Sequence, residues 1–148
     1  MKNSSPPPRS RSIIYWIVSA VAAALFAVPG TALVAHVPHF AEEMGRLGYP
    51  SYFLYLLGVP KVLAAAVIIA PGLPRLKEWA YAGMMFDIIG AIVSHTAAGD
   101  GAGTVVMPVV IGCLVITSWA LRPASRKLFP IGSAPDVSLD TRAAQRAR

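Results

Sequence analysis

The chain has 148 residues, of which 55% are hydrophobic and only 14% charged, with a mean hydropathy of +0.59. A water-soluble domain carries about 25% charged residues and needs far more polar surface to cover one small core, so that class is excluded. The net charge of +6 would suggest nucleic acid in a soluble protein, but here the basic residues sit in two tails and one short loop. No aromatic residues interleave with them and no nucleic-acid-binding motif is present, so no nucleic-acid partner is expected. The single cysteine, Cys113, excludes an internal disulfide, a dithiol redox couple and a cysteine-rich metal site.

Residues 1–12 form a polar leader with Lys2, Arg9, Arg11 and the run Pro6-Pro7-Pro8, which argues against helix and predicts a disordered segment. From Ile13 to Ala35 no charge occurs for 23 residues. A signal-peptide core runs only about 7–15 residues and a membrane span about 20, so residues 13–35 read as a retained first span despite a weak cleavage-like Gly30-Thr31-Ala32. Tyr15 and Trp16 read as interfacial anchors, and Pro29-Gly30 as a bend or break in the last turn.

The connection from His36 to Pro50 contains Glu42, Glu43 and Arg46 and has room for a short amphipathic helix before Gly48-Tyr49-Pro50. The second span, residues 51–70, is interrupted only by Lys61 and stopped by Pro71-Gly72-Leu73-Pro74. Arg75-Leu76-Lys77-Glu78 reads as a polar turn. The third span, 79–98, is interrupted only by Asp87, and Gly99-Asp100-Gly101-Ala102-Gly103 forms a flexible return loop. The fourth span, 104–121, has Pro108 in its early turns and Trp119 at its far end. Residues 123–148 form a basic tail with no apolar face, expected to be disordered.

Residues 13–122 are therefore predicted to form an all-α, integral membrane four-helix bundle. With both tails on one side, that side holds 11 of the 13 basic residues; only Arg46 lies opposite, and Lys61 lies within a span. The positive-inside rule then places both termini in the cytoplasm.

Lys61 and Asp87 carry the most information, because a charge at mid-helix costs ~2.5–3.5 kcal/mol on insertion scales. Counting back to the inner interface at about 1.5 Å per residue puts both at a depth of roughly 12–14 Å on adjacent antiparallel spans, which predicts an intramembrane ion pair. Small residues Ala80, Gly83, Gly90, Ala91, Ser94 and Ala98 share the Asp87 face and would let a neighbouring helix approach closely. Leu57, Gly58, Ala64 and Ala65 flank Lys61, and Pro60 frees the Leu56 carbonyl for Lys61 or water. The pair reads either as a structural lock between helices or as a substrate or proton site.

His95, Ser94, Asp100 and Glu43 form a candidate polar group at the outer mouth, with His36, His39 and Glu42 on the same side. His36-x-x-His39 with Glu43 or His95 has the spacing of a metal site, but solvated loop residues are far commoner and no metal is expected. Tyr49, Tyr52 and Tyr55 read as interface anchors and bundle packing rather than a quinone or sterol platform, and Cys113 as a small apolar filler.

The middle of the chain resembles the DoxX-like family of small bacterial membrane proteins. The resemblance lies in Leu47-Gly48-Tyr49-Pro50, Leu57-Gly58-Val59-Pro60-Lys61-Val62-Leu63, Pro74 through Gly83, and Phe86-Asp87-Ile88-Ile89-Gly90-Ala91, with Ser94-His95 and Gly99-Asp100. It spans roughly residues 15–122, and Ala64 stands where the family has a glycine after Lys-x-Leu. The resemblance implies a four-helix protein of the bacterial cytoplasmic membrane. The family takes its name from a subunit of an archaeal thiosulfate:quinone oxidoreductase, while most members have no assigned activity. No flavin or dinucleotide loop, iron–sulfur cysteine set or haem pair accompanies it here, so a self-contained enzyme is not expected and no bound cofactor is called for. Three readings follow: an accessory subunit that partners a membrane redox system or a second copy of itself; a binding or transport module using Lys61 and Asp87; and a quinone-linked component with Lys61 donating to a quinone carbonyl.

Overall fold

The computed structural model describes residues 9–122, which form five helices: α1 (Arg9–Val34), α2 (Pro38–Arg46), α3 (Tyr52–Ile69), α4 (Pro74–Ala97) and α5 (Ala102–Leu121). No strand occurs among the described residues. α1, α3 and α5 are each long and apolar enough to cross a membrane. α1 packs on α3 and on α5, and α4 completes a ring by packing on the same two helices. The short α2 lies at the end of the ring where α1 finishes and α3 begins.

Several boundaries differ from those expected. α1 begins at Arg9, so the last four residues of the leader, 9–12, are helical; a proline blocks helix on its N-terminal side and leaves the residues after it free to start one. The rest of the leader and the tail, 1–8 and 123–148, lie outside the described residues. α1 also continues through Pro29 and Gly30 to Val34 without ending there. α4 starts at Pro74, so Arg75 to Glu78 are its first turn and not a connecting loop. Proline at the first helical position is preorganised for helix, and the apolar pattern simply begins a turn later than the helix does.

The core is built where helix faces meet. Ala22, Ala23 and Phe26 of α1, Ala65 and Ile68 of α3, Tyr81, Met84 and Ile88 of α4, and Val115 of α5 form one buried cluster. Gly112, Val115 and Ser118, spaced three apart, give α5 its buried face. Cys113, expected as a small apolar filler, falls about 100° away from Gly112 on the helical wheel and is exposed on the surface of α5. Tyr15 is likewise buried and is not an interface anchor, whereas Trp16 beside it is exposed.

A close helix contact joins α1 to α3. A Cβ built on Gly58 would lie 2.8 Å from the Gly30 carbonyl oxygen, and one on Gly30 would lie 2.8 Å from Lys61 Cβ. These two glycines let the backbones meet and leave room for the stem of Lys61. By contrast, Cβ atoms on Gly83 and Gly90 would meet nothing within 4 Å. At these positions the small-residue face of α4 does not receive a tightly packed helix, as the sequence had suggested, but borders open space.

Two polar arrangements tie the end opposite α2. Lys77 is fully buried, and its Nζ donates to the carbonyls of Val67 and Ile68, both at 2.7 Å, where α3 ends. Those carbonyls have no partner within the helix, and a cation there also complements the helix dipole. Lys77→Met is expected to cost ~1–3 kcal/mol, read as an earlier unfolding midpoint in detergent titration with helix content unchanged. Ser118 joins Ser19 and Tyr81 in a buried hydroxyl chain, with both links 2.7 Å long. Nearby, Glu78 accepts from Arg122 at 2.8 Å and from the Trp119 indole at 2.9 Å, and the Arg122 guanidinium lies over the Tyr81 and Trp119 rings.

Candidate functional site

The open space beside α4 is a cavity of about 780 Å³. Its floor is the small-residue face of α4, where Ala80, Gly83, Gly90 and Ala91 leave no side chain long enough to fill it. Phe26, Pro29 and Leu33 of α1 and Pro60, Lys61 and Ala64 of α3 line the other walls. α2 contributes Phe40, Glu43 and Met44, so the amphipathic helix lies along one end of the cavity as a roof. The cavity also reaches outward-facing side chains: Trp79 and Phe86 line it while being 79% and 75% exposed. It therefore opens sideways, between α3 and α4, and is not a sealed void.

Lys61 and Asp87 meet inside it. Lys61 Nζ lies 2.9 Å from Asp87 Oδ2, with the two side chains 19% and 18% exposed. The ammonium also lies 5.6 Å from the centre of the Phe26 ring, whose electron-rich face attracts a cation. It points to Asp87 and not to the Leu56 carbonyl that Pro60 leaves without a helical donor. A Lys–Asp pair flanked by apolar walls is the only strongly polar feature at mid-length of α3 and α4, and both members face the cavity.

A second polar group sits at the α2 end. Arg46 makes two parallel bonds to Asp100, Nη1 to Oδ1 and Nη2 to Oδ2, both 2.8 Å. It also bonds Glu43, through Nη2 at 2.6 Å and Nε at 3.2 Å. His95 Nδ1 lies 2.6 Å from Asp100 Oδ2. Ser94 is placed differently: it donates to the Gly90 carbonyl at 2.7 Å, and its oxygen lies 2.6 Å from the Tyr49 hydroxyl. Tyr49 in turn stacks on Phe53, the rings parallel within 2° at 4.3 Å, so it packs at the cavity end. Tyr52 and Tyr55 are exposed.

Ligating atoms of Glu43, His95 and Asp100 lie within 4.8 Å of one another, a donor set of the kind that holds a cation. The Arg46 guanidinium already supplies the positive charge there. His36 and His39 are not part of it; His36 packs on Tyr55 and His39 on Phe40. The same network ties α2 to the loop after α4, and so holds the roof over the cavity.

The electrostatics follow from this geometry. Hydrogen bonds from Arg46, and then from His95, hold the Asp100 carboxyl well below the ordinary carboxylate range. Bonding to Arg46 also lowers Glu43, and the two carboxylates, Asp100 first, raise Arg46 further above its usual value. A carboxylate whose pKa is depressed in the folded state adds stability above its unfolded value, near 4, which is lost as the pH falls from there through the folded value. The latch is therefore expected to hold between pH 7 and pH 5 and to loosen only below about pH 4. Arg46→Ala should release it at neutral pH: amide exchange in residues 38–46 rises several-fold, while α3 and α5 exchange as in the wild type. Equal protection of α2 in both proteins would show that the network does not hold the roof.

Some of these residues were not found by reading the sequence. Charge counting marks Arg46 only as the lone outer base, although a single guanidinium among Glu42, Glu43 and Asp100 is the signal for a bridging role. Tyr49 pairing with Ser94 has no sequence signal, because the two lie 45 positions apart, one between α2 and α3 and the other in α4. Lys77 looked like a solvated turn residue because its partners are backbone carbonyls of α3.

Helices of this length and apolarity around an ion pair in a sideways-opening cavity define an all-helical membrane protein. The chain belongs to the DoxX-like family, whose family model matches residues 17–118, from within α1 to the last turn of α5. No curated protein and no solved structure matches the chain.

Proposed function

We propose that the chain is a multi-pass protein of a bacterial inner membrane that binds a small lipid-soluble molecule in the cavity over Lys61 and Asp87. The observation that carries this reading is the cavity itself: about 780 Å³, apolar on most sides, open between α3 and α4, with one charge pair facing into it. Ligand pockets for small molecules have this size and this pattern of apolar walls with a few placed polar groups. A molecule dissolved in the bilayer would enter from the side, past Trp79 and Phe86.

The topology supports it. α3 and α5 are each suited to cross a bilayer, and α4 joins them through two short loops; its 24 residues span roughly 36 Å, enough to return across the membrane. Asp87 would cross as half of a neutral pair, which removes most of its insertion cost. Four spans put both termini on one side, and the excess of basic residues makes that side cytoplasmic. A quinone is one molecule of the proposed size, with Lys61 donating to a carbonyl, but its carbonyls offer Asp87 no donor. The alternative of an accessory subunit in a membrane redox system has short loops in its favour, but it leaves the cavity unused.

The test is to purify the protein from native membranes into nanodiscs, extract bound small molecules and compare them with those of Gly83→Leu and Gly90→Leu. Those substitutions place side chains where none now meets anything, and so fill the cavity. An organic molecule retained by the folded wild type in near-stoichiometric amount, and absent from the filled variants, is the expected result. Identical extracts would overturn the reading.

A further inference from the structure

From the chemistry of the pair we infer that the cavity selects an uncharged head group that both donates and accepts a hydrogen bond, that is, a hydroxyl on an apolar body such as an alkylphenol or a long-chain alcohol. This inference rests on the cavity being a ligand site and adds which head it takes.

The argument starts from what Lys61 and Asp87 leave unused. Asp87 Oδ2 is ion-paired with the Lys61 ammonium at 2.9 Å, and no other polar partner of either side chain occurs among the described residues. An ammonium has three donors, and a carboxylate has two oxygens with about four acceptor sites. Donors on Lys61 and acceptor capacity on Asp87 therefore remain, side by side. Neither side chain is sealed off: the one fully buried side-chain polar atom without a partner among the described residues is Arg122 Nη1, and Lys61 and Asp87 keep roughly a fifth of their surface open where they line the cavity. The remaining walls near them, Phe26, Pro60, Ala64, Gly83 and Met84, carry no side-chain group able to satisfy a carboxylate.

Three classes of head can be compared against that site. A charged head adds net charge to a neutral pair in apolar surroundings, or else displaces one member and leaves the other unpaired, and both are costly. A ketone, ether or ester oxygen takes a bond from Lys61 but gives nothing to Asp87. A hydroxyl accepts from Lys61 and donates to Asp87, using both unspent capacities at once. Bonds to ionised groups are about twice as strong as neutral ones, so the extra O–H bond should be worth at least a tenfold preference.

The matched probes are 4-octylphenol and 4-octylanisole, of nearly the same shape and differing in the single O–H, with 4-octylbenzoate as the anionic control. Wild-type protein in nanodiscs is loaded with equal mole fractions of the three in the bilayer, and the bound species are counted by native mass spectrometry. Phenol bound at least tenfold over both the ether and the benzoate is the expected result. Equal binding of phenol and ether would overturn this inference and leave the cavity as a ligand site that senses only the apolar body. Preference for the benzoate would overturn it by showing an anion site. If none of the three binds, the ligand-site reading falls with it.

Discussion

Removing one member of the Lys61–Asp87 pair is expected to cost about 3 kcal/mol of stability, and removing both is expected to restore it to within about 1 kcal/mol. Asp87→Leu leaves an ammonium facing apolar walls, and Lys61→Met leaves a carboxylate 18% exposed with no cation beside it. In the double variant two apolar side chains meet instead, which avoids the desolvation cost that a paired charge carries in the folded state. The comparison is read from unfolding midpoints of all four proteins in detergent titration. The asymmetry between singles and double is the informative result, because it isolates the coupling from whatever each side chain does alone. Single variants as stable as the wild type would mean that the contact at 2.9 Å contributes nothing.

The second large effect is expected at the α1–α3 contact. Gly58→Ala places a methyl 2.8 Å from the Gly30 carbonyl oxygen and 2.8 Å from Val34 Cγ2, so two helix backbones must separate. Overpacking of this kind costs ~1–3 kcal/mol. Gly30→Ala is expected to lose a similar amount and to push on the Lys61 stem, since the added carbon would lie 2.8 Å from Lys61 Cβ. The same exchange at Gly83 or Gly90 meets nothing and should change stability by no more than about 0.5 kcal/mol. Four glycines in helices of similar composition thus divide into two that hold helices together and two that hold space open. Loss of stability at Gly83 and Gly90, with none at Gly30 and Gly58, would reverse that assignment.

Much of the architecture is legible in the residues, for identifiable reasons. The apolar runs mark α1, α3 and α5 because a bilayer leaves little choice of side chain along a span. Lys61 and Asp87 stand out because each interrupts an otherwise uncharged run, and the fixed rise of a helix brings them to one depth once the chain turns between them. What does not follow from spacing is how tightly a face is covered. Ala80, Gly83, Gly90 and Ala91 have the composition of a close helix contact, yet they form the floor of a cavity, because the same small side chains serve both purposes. Pro29-Gly30 suggests a bend or a break, and the helix continues through both to Val34, so the role of Gly30 as a contact point is hidden. α4 begins a full turn before its apolar pattern does, so the buried cap made by Lys77 was hidden among residues that look solvated. The roof formed by α2 depends on Arg46 reaching Asp100, 54 positions away, and no local pattern encodes that distance.

These features connect into one chain of cause. The glycine contact sets α1 against α3 and gives Lys61 its room, the short side chains of α4 leave the cavity, and the Arg46 network holds α2 across its end. Within that frame the ion pair either locks two helices or receives a ligand, and stability alone does not separate the two. The most direct test is therefore binding of 4-octylphenol to the Lys61→Met/Asp87→Leu double variant, in nanodiscs, beside the wild type and with helix content and unfolding midpoint recorded for both. A double variant that folds like the wild type but binds the phenol at least tenfold more weakly is the expected result. Undiminished binding by the folded double variant would contradict the account and leave the pair a structural lock.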